Sequence, residues 1–228
     1  MEIKVLSAGA VKPGLVKVIE AFRRETGDDV KVTFATAPEI RKRLGDGGKA
    51  DVVIAPPAVL DDLVKSGKVA AADRATVGRI GVGVMVRNGA RLLKITTVDE
   101  FKQSLLTAEA VVYNQASTGI YLENLFDRLG ISAQLKAKTT RYPDFAAVRD
   151  HVSKGKGNEI GLGATTVIIE SQSKGLKFVG PLPAEIQNYT NYAATIVAGS
   201  AVTDAAQALF RFLANPASKA TFTAAGIE

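Results

Sequence analysis

The sequence predicts an α/β protein built on parallel sheets, and three observations predict it. Short apolar runs that read as buried strands alternate with segments whose apolar residues recur at helical spacing. The opening run, VLSAGAVKPGL at residues 5–15, passes straight into a loop of very small side chains with a helix immediately beyond it. A glycine-rich apolar strand at residues 80–86 (IGVGVMV) is then followed by a second βα series.

Val5 and Leu6 read as the end of the first strand, and Leu15, Val18, Ile19 and Phe22 fall at i, i+3, i+4 and i+7 of a helix. Pro13 suits the first turn of that helix, where a missing N–H costs nothing. Ser7, Ala8, Gly9 and Ala10 lie between the two. Their bare backbone at the positive end of a helix can hold an anion without a charged side chain, and the same residues also suit a tightly packed βα connection. A second strand at Val30–Phe34 leads through the loop at residues 35–38 to a helix carrying Ile40 and Leu44, ended by Gly45, Gly47 and Gly48. Residues 51–55 (DVVIA) form a buried third strand closed by Pro56-Pro57, and a helix with Val59, Leu60, Leu63 and Val64 follows. This βαβαβα order places ligand space at the carboxyl ends of the strands.

In the second series a helix at Thr97–Leu105 starts with a Thr97…Glu100 capping box, and strand Ala110–Tyr113 precedes a helix with Leu122, Leu125, Phe126 and Leu129. Next come a strand at Lys136–Thr140, a helix through Phe145, Val148 and Val152, and strands at residues 160–163 and 176–179. The last strand, near Tyr192–Val197, precedes helices at Asp204–Leu213 and Ala217–Ala224.

Composition narrows the functional classes. The chain has 228 residues, 46% hydrophobic and 23% charged, enough for one large core or two smaller ones. No run approaches the ~20 apolar residues of a membrane span, so membrane insertion is not expected. Residues 1–5 lead directly into the first strand without a secretory signal, which predicts a cytoplasmic chain, or a periplasmic one if a signal peptide has been removed. The absence of cysteine excludes disulfides and thiolate chemistry. The net charge of +6 favours an anionic ligand. That charge is spread along the chain, its densest runs (Arg41-Lys42-Arg43; Lys154 and Lys156) are short and aromatics make up only 6%, so no nucleic-acid partner is expected.

Nothing points to a metal or a cofactor. The one histidine, His151, falls on a helix between Val148 and Val152 without a nucleophile beside it, and there is neither an HExxH motif nor a paired-carboxylate signature. Gly155-Lys156-Gly157 fits neither a phosphate loop nor a dinucleotide fingerprint and reads as a helix end.

Five segments in sequence carry a resemblance: VLSAGAVKPGLVKVIEAFRRETG; VTFATAPEIRKRL followed by GGKADVVIAP; STGIYLENLFDRLGI; EIGLGATTVI; and NYAATIVAGS with AAQALFRFLANPASKATFTAAGI. Together they resemble, over nearly the whole chain, the type II periplasmic-binding-protein fold of the molybdate-binding, extracellular solute-binding branch. The resemblance implies an α/β architecture of two lobes, residues 1–80 with 194–228 and residues 82–190, joined by hinge strands near 80–86 and 188–197, with an anion in the interlobe cleft. It places ligand contacts at Ser7, Ala8, Gly9 and Ala10, at Thr36 and Ala37, at Ser117, Thr118 and Gly119, at Gly163, Ala164 and Thr165, and at Tyr192. Helix capping by Ser117 or Thr118 and simple packing of Tyr192 are the competing uses of those residues.

Molybdate and sulfate sites of this family use serine hydroxyls after the first two strands, where this chain has Ala10 and Ala37. A lost charge-assisted hydrogen bond costs roughly 1.5–3 kcal/mol. The expected ligand is therefore an organic di- or tricarboxylate, with Lys12, Arg79 and Arg141 as candidate cations or, alternatively, solvated surface charges. An ABC transporter permease is the partner that the resemblance implies for such a binder. The same architecture is shared by aconitate isomerases, in which Ser7, Thr118, Tyr192 and an arginine such as Arg79 would serve allylic proton transfer. Transcription-regulator sensing modules share the fold too, but here no helix-turn-helix precedes it.

Overall fold

A computed structural model describes residues 2–69, 74–200 and 203–228. The chain divides into two compact units, Met1–Ile80 with Asn191–Glu228, and Gly81–Thr190.

In the first unit β1 (Glu2–Ala8) lies between β2 (Asp29–Ala35) and β3 (Val52–Ala55), parallel to both, and β9 (Tyr189–Ile196) runs antiparallel to β3. The strand order β2-β1-β3-β9 brings the carboxyl ends of the three parallel strands to one edge. A single 3-10 turn, Gly9–Val11, joins β1 to α1 (Lys12–Thr26), whose stripe of Leu15, Val18, Ile19 and Phe22 is buried. Helices α9 (Thr203–Leu213) and α10 (Pro216–Ala224) pack on α1, with Phe22 and Phe212 edge to face at 5.3 Å. A Cβ on Gly14 would stand 2.7 Å from the Phe222 ring, so this glycine is what lets α10 lie so close. α2 (Ala37–Gly45) and α3 (Pro57–Lys65) pack against each other.

Two readings of the sequence need correction. Ser7 and Ala8, expected in the loop, still belong to β1, where they are in register with Phe34 and Ala35. Ladder bonding to flanking strands overrides the turn preference of such small residues, and only Gly9 and Ala10 remain in the turn. The strand expected at Lys136–Thr140 is also displaced, because α6 (Ser132–Lys136) occupies its start and β6 spans Thr139–Tyr142. Ile131 and Leu135, one helical turn apart, are both buried, and that contact outweighs the apparent alternation around Lys136.

The second unit has the strand order β8-β4-β7-β5-β6. β5 (Ala110–Asn114) is parallel to β6 and β7 (Glu159–Ala164), whereas β4 (Ala75–Arg87), which enters from the first unit, is antiparallel to β7 and β8 (Leu176–Pro181). Part of its core gathers Phe101 and Leu105 of α4 (Val98–Thr107) with Leu122, Leu125 and Phe126 of α5 (Ser117–Arg128). Another part gathers Met85, Val112 and Ile168 with Val148 and Val152 of α7 (Phe145–Lys154). α4 carries the expected capping box: Glu100 N–H donates to Thr97 Oγ1 at 3.2 Å, and the Glu100 carboxylate accepts from Thr97 N–H at 3.3 Å.

Candidate functional site

In the first unit, register fixes what lies at the carboxyl edge. Ala8 is opposite Ala35 and Ala55 is opposite Ala193, so alanines end the parallel strands and meet an alanine in the middle of β9, with Tyr192 next to it. Ala55 and Ala193 escaped the sequence reading, although each of the three parallel strands visibly ends in alanine. Thr36 is the N-cap residue of α2 and Ala37 its first residue. Ser7 is fully buried and its hydroxyl donates to the Ala8 carbonyl at 3.2 Å. Lys12 opens α1, with its ammonium 5.9 Å from the centre of the Phe34 ring. Arg79 is instead engaged with Glu228, its Nη2 lying 3.0 Å from the carboxylate.

In the second unit, β5 ends at Asn114 and β7 at Ala164, and both strands run the same way, so the starts of α5 and of α8 (Thr165–Glu170) share one edge. Ser117, Thr118 and Gly119 form the first turn of α5, whereas the N-cap is Ala116. Neither Ser117 nor Thr118 is therefore a helix cap. The Thr118 side chain is mostly buried, and its hydroxyl makes no hydrogen bond among the described residues. Gly119 has a strict packing role: a Cβ there would fall 1.8 Å from the Asn114 carbonyl oxygen. Ala164 precedes α8 and Thr165 begins it, also without a side-chain cap.

The helix starts fall into two electrostatic groups, and α3, α6 and α8 resemble the candidate-site helices in lacking a side-chain cap. α1, α2 and α5 have no side-chain cap, and α1 and α5 carry no acidic residue in their first turns. α4 has its capping box with Asp99 and Glu100 in the first turn, α7 is capped by Asp144, and α10 by Asn215. An uncapped start leaves N–H donors and the positive end of the dipole without a side-chain partner; in α1 the Lys12 N–H already bonds the Gly9 carbonyl and Pro13 has none, and the Lys12 ammonium adds a full charge there.

Beside α5, Tyr113 and Arg141 are in register on adjacent strands. Arg141 Nη1 is 2.6 Å from Glu123 Oε1, and its guanidinium carbon is 6.0 Å from the Tyr113 ring centre. Burial, reinforced by the Glu123 charge and opposed by Arg141, pushes the Tyr113 phenol up to about 12, so it stays neutral at physiological pH. Tyr142 and His151 share a hydrogen bond of 2.9 Å between the phenol oxygen and Nδ1. Neither Tyr113, Glu123 nor Tyr142 carries a motif by which sequence could single it out. Among the described residues no cluster of His, Asp and Glu could hold a metal ion, and no helix is long and apolar enough to cross a membrane.

An α/β chain whose parallel strands end in short loops before helix starts is the pattern of the type II periplasmic binding proteins, and comparison supports that fold over the full length. The periplasmic molybdate-binding protein of Azotobacter vinelandii superposes with a TM-score of 0.83, at 18% identity, covering 99% of this chain and 98% of that one. Residues 3–228 match the family described as bacterial extracellular solute-binding protein, and the chain belongs to that family. It is 33% identical over 221 residues to an aconitate isomerase from a Pseudomonas species, covering 93% of this chain and 82% of that protein. It is 26% identical over 204 residues to the molybdate-binding protein ModA of Escherichia coli (strain K12), covering 87% of this chain and 78% of that one.

Proposed function

We propose that the protein is a solute-binding protein that captures a small organic polycarboxylate, of the size and charge of aconitate, at these strand-end edges. The observation that carries the reading is the uncompensated positive charge at the starts of α1 and α5, which are uncapped, free of acidic residues and, in α1, headed by Lys12. Backbone N–H groups at such ends donate to a carboxylate without a paired side chain. Ala10 and Ala37 offer no hydroxyl to a tetrahedral oxyanion, and the alanine rim leaves room for a carbon skeleton. In an uptake system the partner is an ABC transporter permease. The test is a melting-temperature comparison at equal concentration: trans-aconitate or citrate stabilises the chain more than molybdate or sulfate, and a selective response to molybdate refutes the carboxylate assignment. At about 100-fold Kd a ligand adds ~2.7 kcal/mol, which is readily seen.

One observation favours a second reading. The identity to the aconitate isomerase is higher, over more of the chain, than to the molybdate binder. Isomerisation removes a proton from the carbon next to the double bond, shifts the double bond, and returns a proton to the far carbon. It needs an acid/base group within ~2.6–3.2 Å of the proton concerned, or one water away. Ser7, Thr118 and Tyr192 are the hydroxyls that the resemblance assigns to it, and the Ser7 hydroxyl donates to a carbonyl, which is no base. Capture without turnover predicts that cis- and trans-aconitate do not interconvert when followed by proton NMR. Interconversion that is lost in Thr118→Val or Tyr192→Phe while binding persists would establish the isomerase instead.

A further inference from the structure

We propose that Arg141 is the specificity-determining cation of the second unit, held by Glu123 in the ligand-free protein and released to a further carboxylate of a bound di- or tricarboxylate. The inference rests on the carboxylate reading above and adds which residue counts the ligand's charges.

The geometry starts from Tyr113. The missing side chain of Gly119 would stand 3.2 Å from Tyr113 Cδ2, so the first turn of α5 touches this ring. The Arg141 guanidinium lies over the same ring, and Arg141 is in register with Tyr113 one residue before β6 ends. One buried aromatic surface therefore carries both the uncapped helix start and a guanidinium at the same sheet edge. Stacking on a ring leaves the N–H fork of arginine free to turn in the ring plane, and a planar fork can grip a carboxylate through two hydrogen bonds.

Glu123 is four residues beyond Gly119, hence on the same face of α5, and holds one nitrogen of that fork. Both partners are partly exposed, with side-chain exposures of 36% for Arg141 and 40% for Glu123. A half-solvated pair of this kind is worth little in itself and can be exchanged for a better placed carboxylate. The other cations named from the sequence differ: Arg79 is fixed on Glu228, and Lys12 belongs to the first unit. A monocarboxylate seated on the helix start has no group left for Arg141, whereas a tricarboxylate does. Glu123 then acts as a positioning residue that opposes binding, because its charge both competes for Arg141 and repels the ligand.

The test is isothermal titration of the full chain with trans-aconitate and with the monocarboxylate crotonate, alongside melting temperatures. Arg141→Gln is expected to weaken trans-aconitate about tenfold or more while changing crotonate less than about twofold. Glu123→Gln is expected to tighten trans-aconitate, an opposite sign that a merely structural ion pair cannot give. Arg141→Lys, which keeps the charge but not the fork, should fall between wild type and Arg141→Gln and covers the case in which Arg141→Gln folds poorly. Equal losses for both ligands, or weakened binding in Glu123→Gln, would overturn the role of Arg141. Should trans-aconitate bind and Thr118→Val weaken it while Arg141→Gln leaves it unchanged, this inference alone fails. If trans-aconitate does not bind the wild type, the carboxylate reading fails and takes the inference with it.

Discussion

Arg79 and Glu228 are joined through main chain and side chain together. Arg79 N–H donates to the Glu228 carbonyl at 2.7 Å, Glu228 N–H donates to the Arg79 carbonyl at 3.0 Å, and Nε and Nη2 of the guanidinium lie 3.2 and 3.0 Å from Oε2. Beside them, Gly78 has φ of 145°, and a Cβ on it would meet Ile227 at 2.6 Å. A residue that reads as a ligand cation in sequence is thus occupied in fastening residues 227–228 to β4. Arg79→Gln is expected to lower stability by about 0.2–1 kcal/mol, since both side chains are half exposed, and to change ligand affinity less than about twofold. Urea denaturation and titration of the same preparation check both halves.

Thr118→Val should move stability and affinity in opposite directions. The residue is largely buried and its hydroxyl makes no hydrogen bond within the described chain, so an isosteric methyl breaks no internal hydrogen bond and the melting temperature holds or rises. Loss of a hydrogen bond to a carboxylate is worth roughly 1.5–3 kcal/mol, a drop of about tenfold or more in affinity. Calorimetry on the free protein and titration with trans-aconitate give the two signs; a lowered melting temperature with unchanged affinity would assign Thr118 to packing.

Gly119→Ala is expected to destabilise the second unit strongly, by about 1–3 kcal/mol or more, because the new methyl meets backbone at Asn114 and not a side chain that could turn away. Chemical denaturation measures it. Ala116→Gly is the control, since it alters the N-cap of the same helix without adding atoms.

Acid should weaken the start of α4 in a defined way. Hydrogen bonds from the Thr96 side chain, then from the backbone of Thr96 and Thr97, hold the Glu100 carboxyl below its usual range. A carboxyl depressed in the folded state stabilises above its unfolded pKa, and that stabilisation is lost as pH falls through the depressed folded value. Glu100→Gln is therefore expected to flatten the acid limb of the stability profile while leaving its shape above neutral pH unchanged, as read by denaturation midpoints across pH.

The α/β class and the family were legible because they rest on local patterns: Leu15, Val18, Ile19 and Phe22 announce a helix stripe, and VVIA an interior strand. Where one strand ends and a loop begins was less so, since Ser7 and Ala8 are held in β1 by neighbours that arrive much later in the chain. The β6 shift has the same origin, in contacts of Leu135 that its own neighbours do not encode. Charge partners were illegible for a plainer reason: Arg79 and Glu228 are separated by 149 positions, and no local signal pairs them. The candidate loops themselves could be read from small residues before helices, but the absence of caps, which gives them their electrostatic character, emerged only from the geometry of each helix start.

The alanines after the first two strands have a genetic consequence. Ala10 lies in the turn before α1 and Ala37 is the first residue of α2. An alanine codon becomes a serine codon by one base change. A lineage of this fold can therefore exchange a methyl for a hydroxyl at either loop through a single point mutation.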